Sequence, residues 1–242
     1  AATKSAAKSI DAEAVVGSLK QAGDVAAKSV ESTAKSAAQS VDAATKSVDT
    51  DAVGTEIVSA RRRGKYLLFD LDPGADGGPP RELVVHLGMT GRLAVHEPGS
   101  ALALDEPASA PHLRAWWRLD DDRVLTFHDI RRFGRIHVVD TGDYRNIPTL
   151  YALGPEPWDP DFNGKQLAAF VKRSDRHLKT ILLAQRAVAG VGNIYADEAL
   201  WDARINPATR RLSRQRADEL VVAIRQVLES GLAHGGTTLR DY

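Results

Sequence analysis

Arg61-Arg62-Arg63-Gly64-Lys65 places four cations within five residues. Such a cluster can hold phosphates, because each cation neutralises a phosphate charge and releases its counterion; the plainer reading is a solvated strand end. Lys65 is the member suited to proton transfer. A lysine crowded by arginines has its charged form disfavoured, which brings it closer to the pH at which it could exchange a proton. Much further along, Gly190-Val191-Gly192-Asn193 is a two-glycine turn leading into Ile194-Tyr195-Ala196-Asp197-Glu198-Ala199-Leu200-Trp201. Glycine at 190 and 192 permits positive φ and close approach to a ligand. Asn193 reads as the N-cap of a helix, with Asp197 and Glu198 in its first turns. The free N–H groups at that helix start would hold a phosphate; taken alone, the motif is a turn joining two helices. Two more stretches stand out. His86-Leu87-Gly88-Met89-Thr90-Gly91 contains the only methionine of the chain. By itself its histidine reads as a core or edge residue and Met89 as a filler of core gaps. Asp129-Ile130-Arg131-Arg132-Phe133-Gly134-Arg135 reads by itself as a charged turn around one buried phenylalanine.

These residues need elements to hold them. Glu56 to Leu71 reads as strands, followed by a Pro/Gly-rich hairpin loop from Asp72 to Arg81. In Leu83–Leu87, alternation puts Val84 and His86 on one face and Leu83, Val85 and Leu87 on the other. Gly99 to Pro111 is a loop. His112–Leu119 and Val124–His128 form a hairpin around Asp120-Asp121-Asp122, with Trp116 and Trp117 on opposite faces and at least one of them in the core. The rest is helical: Gln166–Lys172, Leu178–Gln185, the helix after Gly192 with Ile194, Ala199 and Leu200 on its apolar face, and Arg214–Ala233. Ser213 caps the last, whose buried face carries Leu220, Val221, Ile224, Val227 and Leu228.

Composition narrows the class. The chain has 242 residues, 32 Lys+Arg against 32 Asp+Glu, and no cysteine. With no net charge, any attraction to nucleic acid must come from local clusters. Without thiols there is neither a disulfide nor a thiolate metal site. No apolar run reaches the ~18 residues of a membrane span and no secretory signal opens the sequence, which together fit a soluble cytoplasmic protein. Residues 1–53 differ from the rest: they are Ala/Ser/Lys-rich, with a recurring unit such as Lys28-Ser29-Val30-Glu31 and Lys46-Ser47-Val48-Asp49. They read as a helical or disordered arm, an extension or tether; its thin stripe of small residues argues against a membrane-surface helix.

The four stretches, together with Leu153-Gly154-Pro155-Glu156-Pro157 and Phe162-Asn163, closely resemble in content and order the formamidopyrimidine-DNA glycosylase and endonuclease VIII family of bacterial base-excision repair enzymes. The resemblance implies an α+β fold: an incomplete β-sandwich-like half over 54–145 and a helical helix–two-turn–helix half over 150–242, preceded by the arm of residues 1–53. It implies a monomer on nucleoid DNA and a DNA glycosylase with AP-lyase activity on oxidised purines (8-oxoguanine, formamidopyrimidines). There the base is extruded, an amine attacks C1′, and a Schiff base leads to β-elimination. In this resemblance Lys65 is catalytic, contacting the phosphate at the lesion and assisting elimination. His86, His112, Arg173 and Asn193 contact the DNA, with Arg176 and Lys179 near the same helix start. Met89, Arg131 and Phe133 fill the void left by the extruded base. The physics suits those roles: an unbranched thioether fills an irregular hole, a guanidinium reads base edges, and an aromatic ring wedges into a stack.

The departures are equally specific. Ile130 stands where the family often has proline, and Ser174 where it usually has a basic contact. The family's N-terminal proline nucleophile and the glutamate after it match no residue here. Its four-cysteine zinc hairpin has no ligands in a chain without cysteine, so no cofactor is expected. The competing expectation is therefore a non-catalytic, damaged-DNA-binding remnant or gene fragment of that family.

Overall fold

The computed structural model describes residues 55–73, 77–99 and 110–234. The N-terminal arm, most of the loop after Gly99 and the stretch from Gly235 to Tyr242 lie outside the described residues. The chain divides into two compact units at Asp143/Tyr144.

The first unit is a sandwich of two antiparallel sheets. One has the order β1-β2-β3-β7, built from β1 (Glu56–Arg63), β2 (Tyr66–Asp72), β3 (Arg81–His86) and β7 (Arg135–Asp140). The other has the order β4-β6-β5, built from β4 (Gly91–His96), β5 (Leu113–Arg118) and β6 (Val124–Asp129). The period-two alternation sets which side of each strand is buried. Phe69, Leu71, Leu83 and Val85 of the first sheet meet Ala115 and Phe127 of the second. Leu67, Leu93, Trp117, Ile136 and Val138 pack around them. Trp117 thus supports the core expected of the tryptophan pair, while Trp116 sits on the other side of its strand, half-buried. The sheets bury their shared faces because each buried aliphatic or aromatic side chain contributes about 1.5–3 kcal/mol.

On the outer face of the first sheet Glu82 is fully buried and ion-pairs with Arg61, which also reaches Asp70 at 3.4 Å. A buried carboxylate needs a charged or hydrogen-bonding partner, and the β1-β2-β3 register delivers one.

The second unit is helical: α1 (Pro148–Tyr151), α2 (Gly164–Lys172), α3 (Leu178–Leu183), α4 (Asn193–Asp202) and α5 (Arg214–Ala233). Asn163 accepts from the Gln166 N–H and Ser213 from the Arg216 N–H, so both caps are made by short polar side chains. Leu220, Val221, Ile224 and Val227 of α5 are buried against Leu167, Val171, Leu178, Ile181, Leu182, Ala196, Ala199 and Leu200, with Leu228 at the margin. Gly164 is required at the α2 start: a Cβ there would stand 2.7 Å from the backbone nitrogen of Asp218. No helix among the described residues is long and apolar enough to cross a membrane.

Candidate nucleic-acid interface

In the sandwich unit the pairing of Tyr66 with His86 and of His86 with Arg135 puts the β1–β2 turn, the end of β3 and the start of β7 at one end of the first sheet. Gly64 takes φ +55°, the left-handed conformation of a tight hairpin, and Lys65 follows it. Lys65 keeps contact with solvent, yet the surrounding protein strips enough hydration to hold its ammonium below the usual lysine range. The direction agrees with the sequence expectation, but the cause is desolvation rather than crowding by arginines. Nor do the arginines form one phosphate cluster with it. Arg61 is committed to Glu82 and Asp70, and Arg62 Nη1 donates to the Gly64 carbonyl at 2.7 Å.

His86 packs its ring against Tyr66, with centroids 4.8 Å apart. Burial is the main cause that lowers its pKa, and the positive charges of Lys65 and Arg135 add to it.

Two loops meet at Asp129. Its carboxylate accepts from the Thr90 hydroxyl, from the Arg131 N–H at 3.2 Å and from the Gly134 N–H at 2.7 Å, while Thr90 Oγ1 accepts from the same Arg131 N–H at 3.1 Å. Asp129 is only 1% exposed. Burial by itself would raise its pKa, but these hydrogen bonds outweigh it and hold the carboxyl below the usual range. Glycines let the β3–β4 and β6–β7 loops lie against each other. Gly88 has φ +66°, and a Cβ on it would fall 2.7 Å from the Phe133 carbonyl carbon; a Cβ on Gly134 would strike the Phe127 ring at 2.4 Å.

The brace thrusts out an unusual group of side chains. Met89 is 68% exposed and Phe133 52% exposed, with Ile130 also at the surface. The Arg131 guanidinium lies 5.0 Å from the Phe133 ring centroid, a cation–π contact. Read alone, the two stretches suggested a core methionine and a buried phenylalanine; both side chains are instead presented to solvent. His112 joins the same neighbourhood. It is exposed with φ 62°, and its carbonyl accepts from the Asp129 N–H at 3.0 Å. Arg114 Nε donates to the Asp129 carbonyl at 2.8 Å. The sequence alone assigns no role to Asp129, Thr90 or Arg114; the signal for Asp129 is a carboxylate opening a turn with N–H donors two and five residues later.

The helical unit holds the other two candidates. Arg173 is the exposed C-cap of α2. Asn193 is the first residue of α4 rather than its cap: Gly192 is the N-cap, and it is extended rather than left-handed, whereas Gly190 does take φ +83°. Gly192 offers no side chain to cap the start of α4, so the cap itself satisfies none of its first N–H groups. Asp197 and Glu198 lie beyond the first turn, and Ile194 is exposed instead of sharing the buried face of Ala199 and Leu200. Gln185 shapes the turn by accepting from the Gly190 N–H at 2.8 Å through Oε1. Lys179 is ion-paired with Asp197 at 2.7 Å, which occupies a cation expected near phosphates.

A two-sheet sandwich with an exposed Met–Arg–Phe group, followed by helices arranged as helix, two turns, helix, defines a specific class of two-unit α+β protein. The family model for the formamidopyrimidine-DNA glycosylase N-terminal domain matches residues 11–136, and that for its H2TH domain matches residues 153–242. The formamidopyrimidine-DNA glycosylases of Deinococcus radiodurans and Thermus thermophilus are 42% identical over 191 residues and 46% identical over 192. Each alignment covers 78% of this chain, and 64% and 65% of those relatives. The crystal structure of the Thermus protein aligns with a TM-score of 0.65 over 78% of this chain and 64% of that one. That of the Lactococcus lactis enzyme bound to DNA containing an abasic site aligns with a TM-score of 0.63 at 32% identity, over 76% of this chain and 66% of that one. The chain belongs to the formamidopyrimidine-DNA glycosylase family and spans about two-thirds of the length of these relatives.

Proposed function

We propose that the protein acts in base-excision repair as a DNA glycosylase with AP-lyase chemistry, on double-stranded DNA containing oxidised purines (8-oxoguanine, formamidopyrimidines) or abasic sites. The observation that carries this is the joint exposure of Met89, Arg131 and Phe133 on two loops braced by Asp129. A folded protein gains nothing by leaving a methionine and a phenylalanine in water, whereas a duplex with one base extruded has a hole of that size to fill. In this reading Phe133 wedges into the stack, Met89 fills the vacancy and Arg131 donates to the orphaned base. His86, His112, Arg173 and Asn193, with the uncapped amides of α4, hold backbone phosphates. The protein works as a monomer on the nucleoid DNA of a bacterium, in the cytoplasm.

Lys65 is the only lysine between positions 46 and 165. Its lowered pKa lets it contact a phosphate as a cation and exchange a proton during β-elimination. In that step the C2′ proton leaves as the 3′ phosphate departs. The zinc hairpin implied by the resemblance needs four thiolates, and these 242 residues, which include no cysteine, do not supply them.

Cleavage of a duplex carrying one abasic site tests the reading, with borohydride trapping of the Schiff base alongside. Lys65→Ala should slow strand cleavage by about 10²–10⁴-fold, the usual contribution of a positioned acid–base group. Cleavage at the wild-type rate in that variant would remove Lys65 from the chemistry. The second reading, recognition without catalysis, rests on the same exposed trio, which is complete whether or not an amine attacks C1′. Tight binding of the abasic duplex with neither trapped adduct nor cleavage would select it.

A further inference from the structure

Arg135 belongs to none of the assigned contacts, yet the sheet register sets it directly opposite His86. Cross-strand partners share a face, so Arg63, Tyr66, His86 and Arg135 form a row across the outer face of the first sheet, at the end where Lys65 sits. Arg135 is exposed and ion-pairs with no carboxylate among the described residues. His137, two residues on and on the same face, is half-buried and adds no carboxylate.

The hydrogen bonding of His86 fixes what it can offer. The Gly88 N–H donates to Nδ1 at 3.2 Å, so the neutral ring carries its proton on Nε2, and that N–H is the group it presents to an acceptor. The groups facing it are Tyr66 and Lys65 from β2 and its turn, and Arg135 from β7, with Arg63 beyond Tyr66. None is acidic. Two like-charged neighbours, Lys65 and Arg135, with no counter-ion among the described residues, are the arrangement of a seat for an anion.

We propose that Arg135 is a phosphate-binding residue, which with the Nε2–H of neutral His86 forms a two-group seat for one backbone phosphate. The inference rests on the DNA-binding reading above and extends it to a residue to which that reading assigns no contact. Arg135 supplies the charge and His86 the neutral donor; the lowered His86 pKa agrees with this division.

The test is the salt dependence of duplex affinity for the full chain, wild type against Arg135→Ala and Arg135→Lys. Each phosphate neutralised contributes about 0.9 to the slope of log K against log salt. Arg135→Ala should lower the slope by about that amount on abasic and intact duplexes alike, and Arg135→Lys should restore it. The His86 imidazole, followed by NMR in the free protein, should titrate at higher pH in Arg135→Ala and return in Arg135→Lys. An unchanged slope in Arg135→Ala would overturn the seat. The ratio of affinities for abasic and intact duplex is a separate readout: a wild-type ratio of one refutes the repair reading, whatever the slope shows for Arg135.

Discussion

Replacing Asp129 with alanine is expected to lower stability by about 2–3 kcal/mol and to abolish preference for damaged DNA, although Asp129 itself is too buried to touch a ligand. The carboxylate is the acceptor shared by Thr90, Arg131 and Gly134, so its loss leaves the Gly134 N–H and the Thr90 hydroxyl to find water inside a tight loop junction, with the Arg131 N–H held by Thr90 Oγ1 alone. The cost is set at the lower end for a charged acceptor because the loops are open to solvent on their outer side. Denaturant melts of Asp129→Ala measure it directly, and a melt unchanged from wild type would remove Asp129 as the brace. The pH dependence has a definite sign. The folded pKa lies below the unfolded one, so the contribution is present above the ordinary carboxylate range and is lost as pH falls through the folded value. Wild type should therefore lose more stability in acid than Asp129→Asn does.

The second large effect belongs to the exposed side chains. Met89→Ala and Phe133→Ala should leave thermal stability within about 0.5 kcal/mol of wild type, because these side chains are mostly in water. Yet each should weaken binding to an abasic-site duplex by about 10- to 100-fold, the range expected when a base-stacking side chain is cut back. Affinity for intact duplex should hardly change, since phosphate contacts dominate it and carry no information about the lesion. Arg131→Ala should behave similarly but also depend on the base opposite the lesion, because its guanidinium is the group suited to base edges. Equal losses on both duplexes would assign these residues to general DNA affinity.

Local patterns in the sequence reached the structure largely intact. Alternation placed Leu83 and Val85 in the sandwich core and His86 on the opposite face. The Ser213 cap and the bounds of the last helix follow from one hydroxyl and a 3.6-residue period. What escaped depends on tertiary register. Arg61 looked like a phosphate contact until the β1-β2-β3 pairing carried it to Glu82, 21 residues away. Arg135 acquires its significance only from its cross-strand partner. The start of α4 was off by one residue because Asn193 is a good cap by type, whereas the extended backbone of Gly192 takes the position. The exposure of Met89 and Phe133 could not be read from hydrophobicity, which argues for burial. Only the resemblance pointed outward; in the proposed function the reason for exposure lies in the ligand rather than in the fold.

If the loops carrying Met89 and Phe133 recognise a gap in the duplex, affinity must depend on that gap. The dissociation constants of the unmodified chain are measured at a single salt concentration for an intact duplex and for the same duplex with one abasic site. Filling the gap predicts at least about tenfold tighter binding to the abasic duplex. Equal affinity for the two would contradict the account.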